Sequence, residues 1–149
     1  MNASASGILG HTPSTAATLN YCANYGAITA ENSYASGLAY SLYGSAKANY
    51  CYNSGVVTGA KGAGAIMAQA CDGNGDTASY CLNAATVTST TGLVYQAAEK
   101  NVSSYYYDGT TLKSVADDSV VAEADALAVL NGGTDNDFFS TENGKITVK

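Results

Sequence analysis

Residues 49–59 read NYCYNSGVVTG, a cysteine between two tyrosines followed by Asn, Gly, two valines and Thr. Related stretches occur at residues 20–30 (NYCANYGAITA), 79–89 (SYCLNAATVTS) and 104–114 (SYYYDGTTLKS). Aligning the third position of each block brings together Cys22, Cys51, Cys81 and Tyr106, which follow one another at nearly regular spacing. A block that recurs in this way indicates a repeat protein.

A second, glycine-containing block precedes each copy of the first. It reads SGILG at 6–10, SGLAY at 36–40, GAIMA at 64–68 and TGLVY at 91–95. Taking Gly7, Gly37, Gly64 and Gly92 as equivalent gives intervals close to those of the first block. Because the two markers advance together, the sequence predicts four repeats of similar length, whose markers span 7–30, 37–59, 64–89 and 92–114.

Each period is predicted to hold three short strands, which in the second repeat are 37–41, 48–53 and 56–58. These segments are rich in Tyr, Val and Thr and are bounded by Gly and Asn, as strands are. No amphipathic helix is indicated before residue 115, and a propeller blade needs about 40–45 residues, which is longer than this period. The pattern therefore favours an all-β fold, a right-handed parallel β-helix of about four coils whose core forms by stacking.

Equivalent residues of a β-helix stack about 4.8 Å apart, so each column of the alignment has a structural meaning. The cysteines are predicted to point inward, since free Cys behaves as a small buried hydrophobe. Three further columns are predicted: a turn column of Asn24, Asn53, Asn83 and Asp108, an inner column of Ile28, Val57, Val87 and Leu112, and an outward ladder of Tyr21, Tyr50, Tyr80 and Tyr105.

The C-terminal part, 115–149, has a different pattern. Its apolar spacing predicts a helix over about 118–131, with Asp117, Asp118 or Ser119 as the N-cap. A hairpin is predicted over about 137–149 around the Asn143-Gly144 turn. Since the last coil of a solenoid needs a polar cover, we expect this helix and hairpin to be a cap. The amino end has no comparable segment, so we expect further repeats of the same polypeptide upstream.

Composition argues against two partner classes. The net charge is −6, all six basic residues are lysines, and only 12% of residues are charged. An acidic chain without Arg lacks the electrostatic footprint for nucleic acid and the bidentate clamp for phosphate. No apolar run reaches the ~20 residues needed to span a bilayer, so membrane insertion is not expected.

The paired blocks resemble the GLUG-type repeats of bacterial secreted and surface proteins, over residues 5–114. In that family GGIVG-like strands alternate with NCYNTG-like segments. Here the GGIVG-like block has fewer glycines, as in SGLAY and TGLVY, and the fourth copy of the other block lacks its Cys. The resemblance implies an extracellular or cell-wall-attached module that serves as a stalk or adhesive scaffold. It does not imply catalysis by this segment.

Tyr21, Tyr50, Tyr80 and Tyr105 are the candidate ligand-binding residues. A ladder of exposed rings can stack on host or dietary glycans or on surface proteins, with the hydroxyl as a polar handle. The same ladder also stabilises a sheet by ring-on-ring packing alone, and we favour that interpretation.

Asp72, Asn74 and Asp76 match the D-x-N-x-D start of an EF-hand calcium loop. The match then fails, because Thr77 stands in the place of the glycine and Asn83 in that of the bidentate Glu. An exposed Asn/Gly turn without cofactor is the favoured interpretation, with Ca²⁺ as the alternative. Reduced, buried cysteines are favoured over disulfides, since stacked side chains seldom reach the required dihedral.

No catalytic residues are predicted. His11 has no recognisable nucleophile motif beside it. The repeated strands carry almost no acids, whereas glycoside hydrolysis needs a pair flanking one bond. A fragment of a β-helix polysaccharide-active enzyme is the remaining alternative.

Overall fold

The computed structural model describes residues 4–10, 17–41, 47–69, 77–88, 101–132 and 137–149. These residues form an all-β protein with one short helix among them, as predicted. Repeat 1 (4–30) contains β1 (Ala5–Ser6), β2 (Thr18–Asn20), β3 (Ala23–Asn24) and β4 (Ile28–Ala30). Repeat 2 (31–59) contains β5 (Tyr34–Ser36), β6 (Ala39–Ser41), β7 (Lys47–Asn49), β8 (Tyr52–Asn53) and β9 (Val57–Gly59).

The later elements follow the same order. Repeat 3 (60–88) contains β10 (Gly62–Gly64), β11 (Met67–Gln69), β12 (Thr77–Ser79), β13 (Leu82–Asn83) and β14 (Val87–Thr88). Repeat 4, described from residue 101 onward, contains β15 (Asn101–Val102), β16 (Tyr105–Asp108) and β17 (Thr111–Ser114). The C-terminal unit contains α1 (Glu123–Leu130), β18 (Phe139–Glu142) and β19 (Lys145–Val148).

Equivalent strands of successive repeats pair side by side and parallel. The ladders are β1-β5-β10, β6-β11, β2-β7-β12-β15, β3-β8-β13-β16 and β4-β9-β14. Their registers advance by one repeat at a time, as in Ala5↔Ala35↔Ala63 and Ile28↔Val57↔Val87. Because each of these strands is very short, its backbone hydrogen bonds go mainly to the repeats on either side of it.

Five strands are described in repeat 2, where the sequence predicted three. The predicted strand 48–53 is interrupted because Tyr50 is left-handed, with φ of 54°. A left-handed residue turns the backbone through a corner and ends the extended run. The segment is thereby split into β7 and β8. The glycine-containing segment likewise forms two strands, β5 and β6, on either side of Gly37.

Glycines permit the close approach of neighbouring repeats at one corner. A Cβ on Gly37 would lie 1.9 Å from the Ala65 carbonyl oxygen and 2.7 Å from Oδ1 of Asn53. Gly7 stands in the same position one repeat earlier, against the Gly37 carbonyl oxygen. The register places Ala65, not Gly64, opposite Gly37, because Gly64 pairs with Ser36. The residue equivalent to Gly37 is therefore Ala65, one position after the predicted Gly64.

The interior of the repeats is lined by Ala, Cys and Val together with a few larger aliphatic side chains. One buried cluster contains Leu38, Ala39, Ala48, Cys51, Ala65, Ile66, Met67, Ala78 and Cys81. A second lies beside β4, β5 and β9 and contains Ala30, Ala35, Val57 and Ala63. Leu38, Ile66 and Met67 are the larger members, and Ala, Cys and Val fill most of the other positions.

The fourth repeat is in a different register from the one predicted. Leu82 pairs with Tyr105 and Asn83 with Tyr106, so this repeat is shorter than the alignment of the blocks implied. The Cys81 position is therefore taken by Ser104 and not by Tyr106, and Asp108 does not continue the Asn column. Leu112 lies on β17, which returns antiparallel to β16, so it does not continue the column of Ile28, Val57 and Val87.

The C-terminal helix and hairpin pack against the side of the repeats. They share a buried cluster with one residue each of repeats 2 and 3 and three residues of repeat 4. Its members are Tyr52, Leu82, Tyr105, Tyr107, Leu112, Ala126, Leu130, Phe139 and Ile146. We call this the flank cluster. Ala23 of repeat 1 and Phe138 pack against it as well. The flank cluster and its surroundings thus involve all four repeats rather than the last one alone.

Local details of this unit depart from prediction at one point. The helix begins after Ala122, which makes no side-chain cap hydrogen bond, so none of the three predicted N-cap residues is used. Asp117 instead accepts hydrogen bonds from the backbone and hydroxyl of Ser119. The hairpin turns at Asn143 and Gly144, both left-handed, as an Asn-Gly turn requires.

Candidate functional site

Among the residues that the structure describes, three form the tyrosine ladder, each at the same corner of its repeat. The rings of Tyr21 and Tyr50 are 5.1 Å apart at an interplanar angle of 10°, and those of Tyr50 and Tyr80 are 5.0 Å apart at 7°. The backbone of each is left-handed, with φ of 54–55°. Their N–H groups donate to carbonyls of the next repeat, at Asn49, Ser79 and Val102. These bonds hold an otherwise unfavourable conformation, which costs on the order of 1–3 kcal/mol per residue.

Tyr105 does not belong to the ladder, so this part of the ladder prediction is wrong. It lies on β16 opposite Leu82, it is buried, and its side chain is in the flank cluster. Burial, and then the charge of Asp125, raise the pKa of its hydroxyl. The corner position in repeat 4 is taken by Ser103, whose φ of 48° matches the three tyrosines.

The ladder is only partly open to solvent. Tyr21 is 50% exposed, while Tyr50 and Tyr80 are half-buried against the flank cluster. The ring of Phe138 meets Tyr21 edge-on at 5.5 Å. Within the ladder, the first ring therefore offers the largest surface to a ligand, and the nearby Tyr25 is 63% exposed.

A ladder of buried amides lies on the inner side of the next strand. Nδ2 of Asn24 donates to Oδ1 of Asn53 at 2.8 Å, and Nδ2 of Asn53 donates to Oδ1 of Asn83 at 2.8 Å. Each amide also donates to the carbonyl two residues later, at Gly26, Gly55 and Ala85. Buried amides that are bonded to one another along one axis fix the register between repeats.

The three described cysteines are free and form a column on the inner face. The single S–H of each of Cys51 and Cys81 is shared between two acceptors, the carbonyl two residues earlier at 3.3 Å and one in the preceding repeat at 3.6 and 3.5 Å. Ser104 makes the same two bonds, to Val102 and Ala78.

The buried end of this column is held in its neutral form. Burial, with the hydrogen bond to Cys51 as a second cause, raises the pKa of the Cys81 thiol well above its ordinary value. The interaction with the Cys81 side chain lowers the pKa of Cys51. Cys81 is therefore a neutral hydrogen-bond donor in the folded chain.

Ser104 could have been found from the sequence. The hydroxyl of Ser and the thiol of Cys are both small donors, so the pair Ser103-Ser104 is equivalent to Tyr80-Cys81. The alignment instead placed Tyr106 opposite Cys81, because the block around Tyr106 is rich in tyrosine like the other blocks, and Ser104 was therefore missed.

Several of the described carboxylates have partners close by. Lys113 pairs with Asp108 at 2.6 Å, Lys149 pairs with Asp137, and the Tyr106 hydroxyl donates to Asp118 at 2.8 Å. No group of three or more His, Cys, Asp or Glu in the described ranges is placed to hold a metal ion. The candidate calcium residues Asp72, Asn74 and Asp76, and His11, lie outside the described residues.

Comparison with protein-family models, with curated proteins and with solved structures found no match for this chain. Among the residues that the structure describes, no helix is long and apolar enough to cross a membrane.

Proposed function

We propose that this chain is a non-catalytic module of a bacterial cell-surface protein, a right-handed parallel β-helix of the GLUG-repeat type that serves as a stalk or adhesive scaffold. The observation that carries the proposal is the register. Ala5, Ala35 and Ala63 follow one another across three parallel strands, and Leu19, Ala48 and Ala78 do the same in another ladder. A chain paired in this way gains about 4.8 Å of length with each repeat.

The distribution of polar groups supports a spacer role. The amides of Asn24, Asn53 and Asn83 are bonded to one another along the axis, and each repeat contacts its neighbours through backbone ladders. Repeat proteins are quasi-one-dimensional, and their length and stability grow by addition of repeats. A spacer needs this property, whereas an enzyme needs a cluster of reactive groups.

The proposed location and partners follow from the repeat type. GLUG-type repeats occur in secreted or wall-attached bacterial proteins, so we place this chain outside the cell or on its wall. Further repeats of the same polypeptide are its proposed structural partners. Neither nucleic acid nor a membrane interior is a proposed partner, in keeping with the acidic net charge of −6.

Insertion of an extra repeat tests the architecture. Duplicating residues 31–59 directly after Gly59 should give a folded chain with one more stack level, because the copy pairs with repeat 2 on one side and repeat 3 on the other through strand ladders that repeats 1 to 3 share. We expect small-angle scattering to show an elongation of about 5 Å, the strand spacing. The control is an insert of the same length and composition in scrambled order. If the ordered duplication unfolds the chain as the scrambled one does, the β-helix proposal is wrong.

Recognition of a glycan or a surface protein is the second candidate, and the exposure of Tyr21 favours it. A panel of soluble polysaccharides and matrix proteins should then bind the wild-type chain but not a Tyr21→Ser variant. Some loss of stability is expected, because the ring contacts Tyr50 and Phe138, so binding is compared under conditions in which both proteins are folded. The scaffold role alone predicts no difference in binding. Release of reducing ends from any glycan in the panel would instead favour the enzyme-fragment alternative.

A further inference from the structure

Two series of backbone hydrogen bonds run through the repeats and end at repeat 1. Tyr105 N–H donates to Cys81, Leu82 N–H to Cys51 and Tyr52 N–H to Cys22, each at 2.9 Å. The next donor in this series is the N–H of Ala23. Within the described residues β3 has one strand neighbour, β8, and the alternation of a parallel strand turns the Ala23 N–H away from it.

The second series is parallel to the first and ends beside it. Ala84 N–H donates to Asn53 at 2.7 Å, and Ser54 N–H donates to Asn24 at 2.8 Å. The next donor is the N–H of Tyr25. The N–H groups of Ala23 and Tyr25 would thus be the next donors in the two series. They lie on either side of Asn24, on the outer edge of β3.

The amide ladder ends at the same edge with spare acceptor capacity. Oδ1 of Asn83 accepts from Asn53 at 2.8 Å and from the Ala85 N–H at 3.3 Å. Oδ1 of Asn24 accepts from the Gly26 N–H at 3.2 Å, and in the described residues it has no second donor on the side away from Asn53. An amide oxygen has two lone pairs, and this residue is buried.

Resting on the proposed function, we infer that these three groups are a docking edge for one more coil of the same repeat in the same polypeptide, entering parallel to β3 through a [Cys or Ser]-x-Asn segment. The carbonyl of the first residue of that segment accepts from Ala23, and the carbonyl of the third accepts from Tyr25. Cys22 and Asn24 use the same register toward repeat 2. The incoming Asn donates its Nδ2 to Oδ1 of Asn24, so the surface continues the interface between repeats 1 and 2.

A second copy of the chain does not fit this edge. Head-to-head contact of two copies would bring two Asn24 Oδ1 acceptors together, while both hydrogens of each Asn24 amide are already donated to Gly26 and Asn53. Head-to-tail contact fails because the outer edge of β16 is covered by β17. The edge therefore selects a parallel coil with the repeat pattern.

The test adds such a coil to the full chain. Ala35 is equivalent to Ala5 and Gly59 to Ala30, so a copy of residues 31–59 placed ahead of Asn2, in place of Met1, should extend the ladders. We expect hydrogen exchange at the Ala23 and Tyr25 amides to slow at least tenfold relative to the chain without the addition. A fusion in which only the added copy carries Asn53→Leu should protect these amides less, and a scrambled copy should not protect them.

Unchanged exchange at both amides in a fusion that remains folded would overturn the inference. It would leave the proposed function standing if the internal duplication after Gly59 still folds. Strong protection of both amides in the chain without addition, with a concentration-dependent dimer in sedimentation, would assign the edge to a second copy and would also overturn it.

Discussion

The interior of the repeats and the flank cluster are stabilised in different ways, although they adjoin each other at β8 and β13. Cys51, which precedes β8, and Asn53, on β8, point inward. Tyr52, between them, points toward the flank cluster. The inward Asn is hydrogen-bonded to the same residue type in the next repeat. The flank residues pack against α1, β18 and β19.

This difference explains which positions repeat in the sequence. An inward side chain meets its own equivalent above and below, so Asn24, Asn53 and Asn83 must be alike for their amides to bond. An outward side chain meets a different part of the helix or hairpin at each level. The flank column therefore changes from Ala23 to Tyr52, Leu82 and Tyr105. In these two columns, the residue type repeats where side chains of successive repeats bond to one another, and it varies where they pack against the C-terminal unit.

The largest expected effect is at the corner where repeats come closest. Gly37→Val would place a Cβ 1.9 Å from the Ala65 carbonyl oxygen, and a backbone carbonyl cannot withdraw without breaking the ladder. We expect a loss of more than about 4 kcal/mol in the free energy of unfolding, measured by urea denaturation. Gly10→Val is the control, since nothing lies within 4 Å of its Cβ position. Equal losses in the two variants would mean that repeat contact does not require this glycine.

A smaller effect is expected on the flank, where neighbouring helix residues form a matched pair. Leu130 is fully buried in the flank cluster, whereas Val129 is 37% exposed. Leu130→Ala should lower the free energy of unfolding by about 3 kcal/mol through lost burial and the cavity left behind. Val129→Ala should change it by about 0.5 kcal/mol or less. Urea denaturation of the two variants measures both values.

Hydrogen exchange on Leu130→Ala then shows whether the two regions are independent. We expect faster exchange in α1 and the hairpin, with the amides of repeats 1 to 3 still protected. Loss of protection throughout the repeats would mean that the flank unit is required for the stack itself.

The smallest effect concerns the thiol column and depends on pH. Because Ser104 makes the same bonds as Cys81 in the next repeat, Cys81→Ser should cost about 1 kcal/mol or less at pH 7. The raised pKa of Cys81 means that the folded state holds the neutral thiol more strongly than the unfolded state. Its contribution is fully present below the ordinary thiol pKa of 9.0 and is lost as pH rises toward the folded value.

Urea unfolding of both proteins at pH 7 and pH 10 measures this contribution. The wild-type chain should lose stability relative to Cys81→Ser at the higher pH, since tyrosine ionisation is common to both. A difference between the two proteins that does not change with pH would show that Cys81 ionises as readily in the folded state as in the unfolded one.

Much of the repeat architecture could be predicted from the sequence in the first three repeats. The Asn column of residues 24, 53 and 83 and the stacked rings of residues 21, 50 and 80 lie in register as predicted. The prediction failed in repeat 4, where Tyr105 was placed in the ladder because it is a tyrosine. In the structure, Ser104 occupies the position of Cys81 and makes the same hydrogen bonds. An alignment that matches identical residues does not detect that Ser can replace Cys.

The sequence by itself determined the period and the Asn and Tyr columns of the first three repeats, because amides that bond to one another and rings that stack on one another recur as the same residue type. Only the tertiary structure decided the left-handed backbone at the corners and the packing of the C-terminal unit on the flank. The left-handed backbone at Tyr21, Tyr50 and Tyr80 is maintained by bonds to the next repeat. Likewise, the packing of α1 and the hairpin against Tyr52 and Leu82 depends on shape between distant segments, which leaves no periodic signal in the chain.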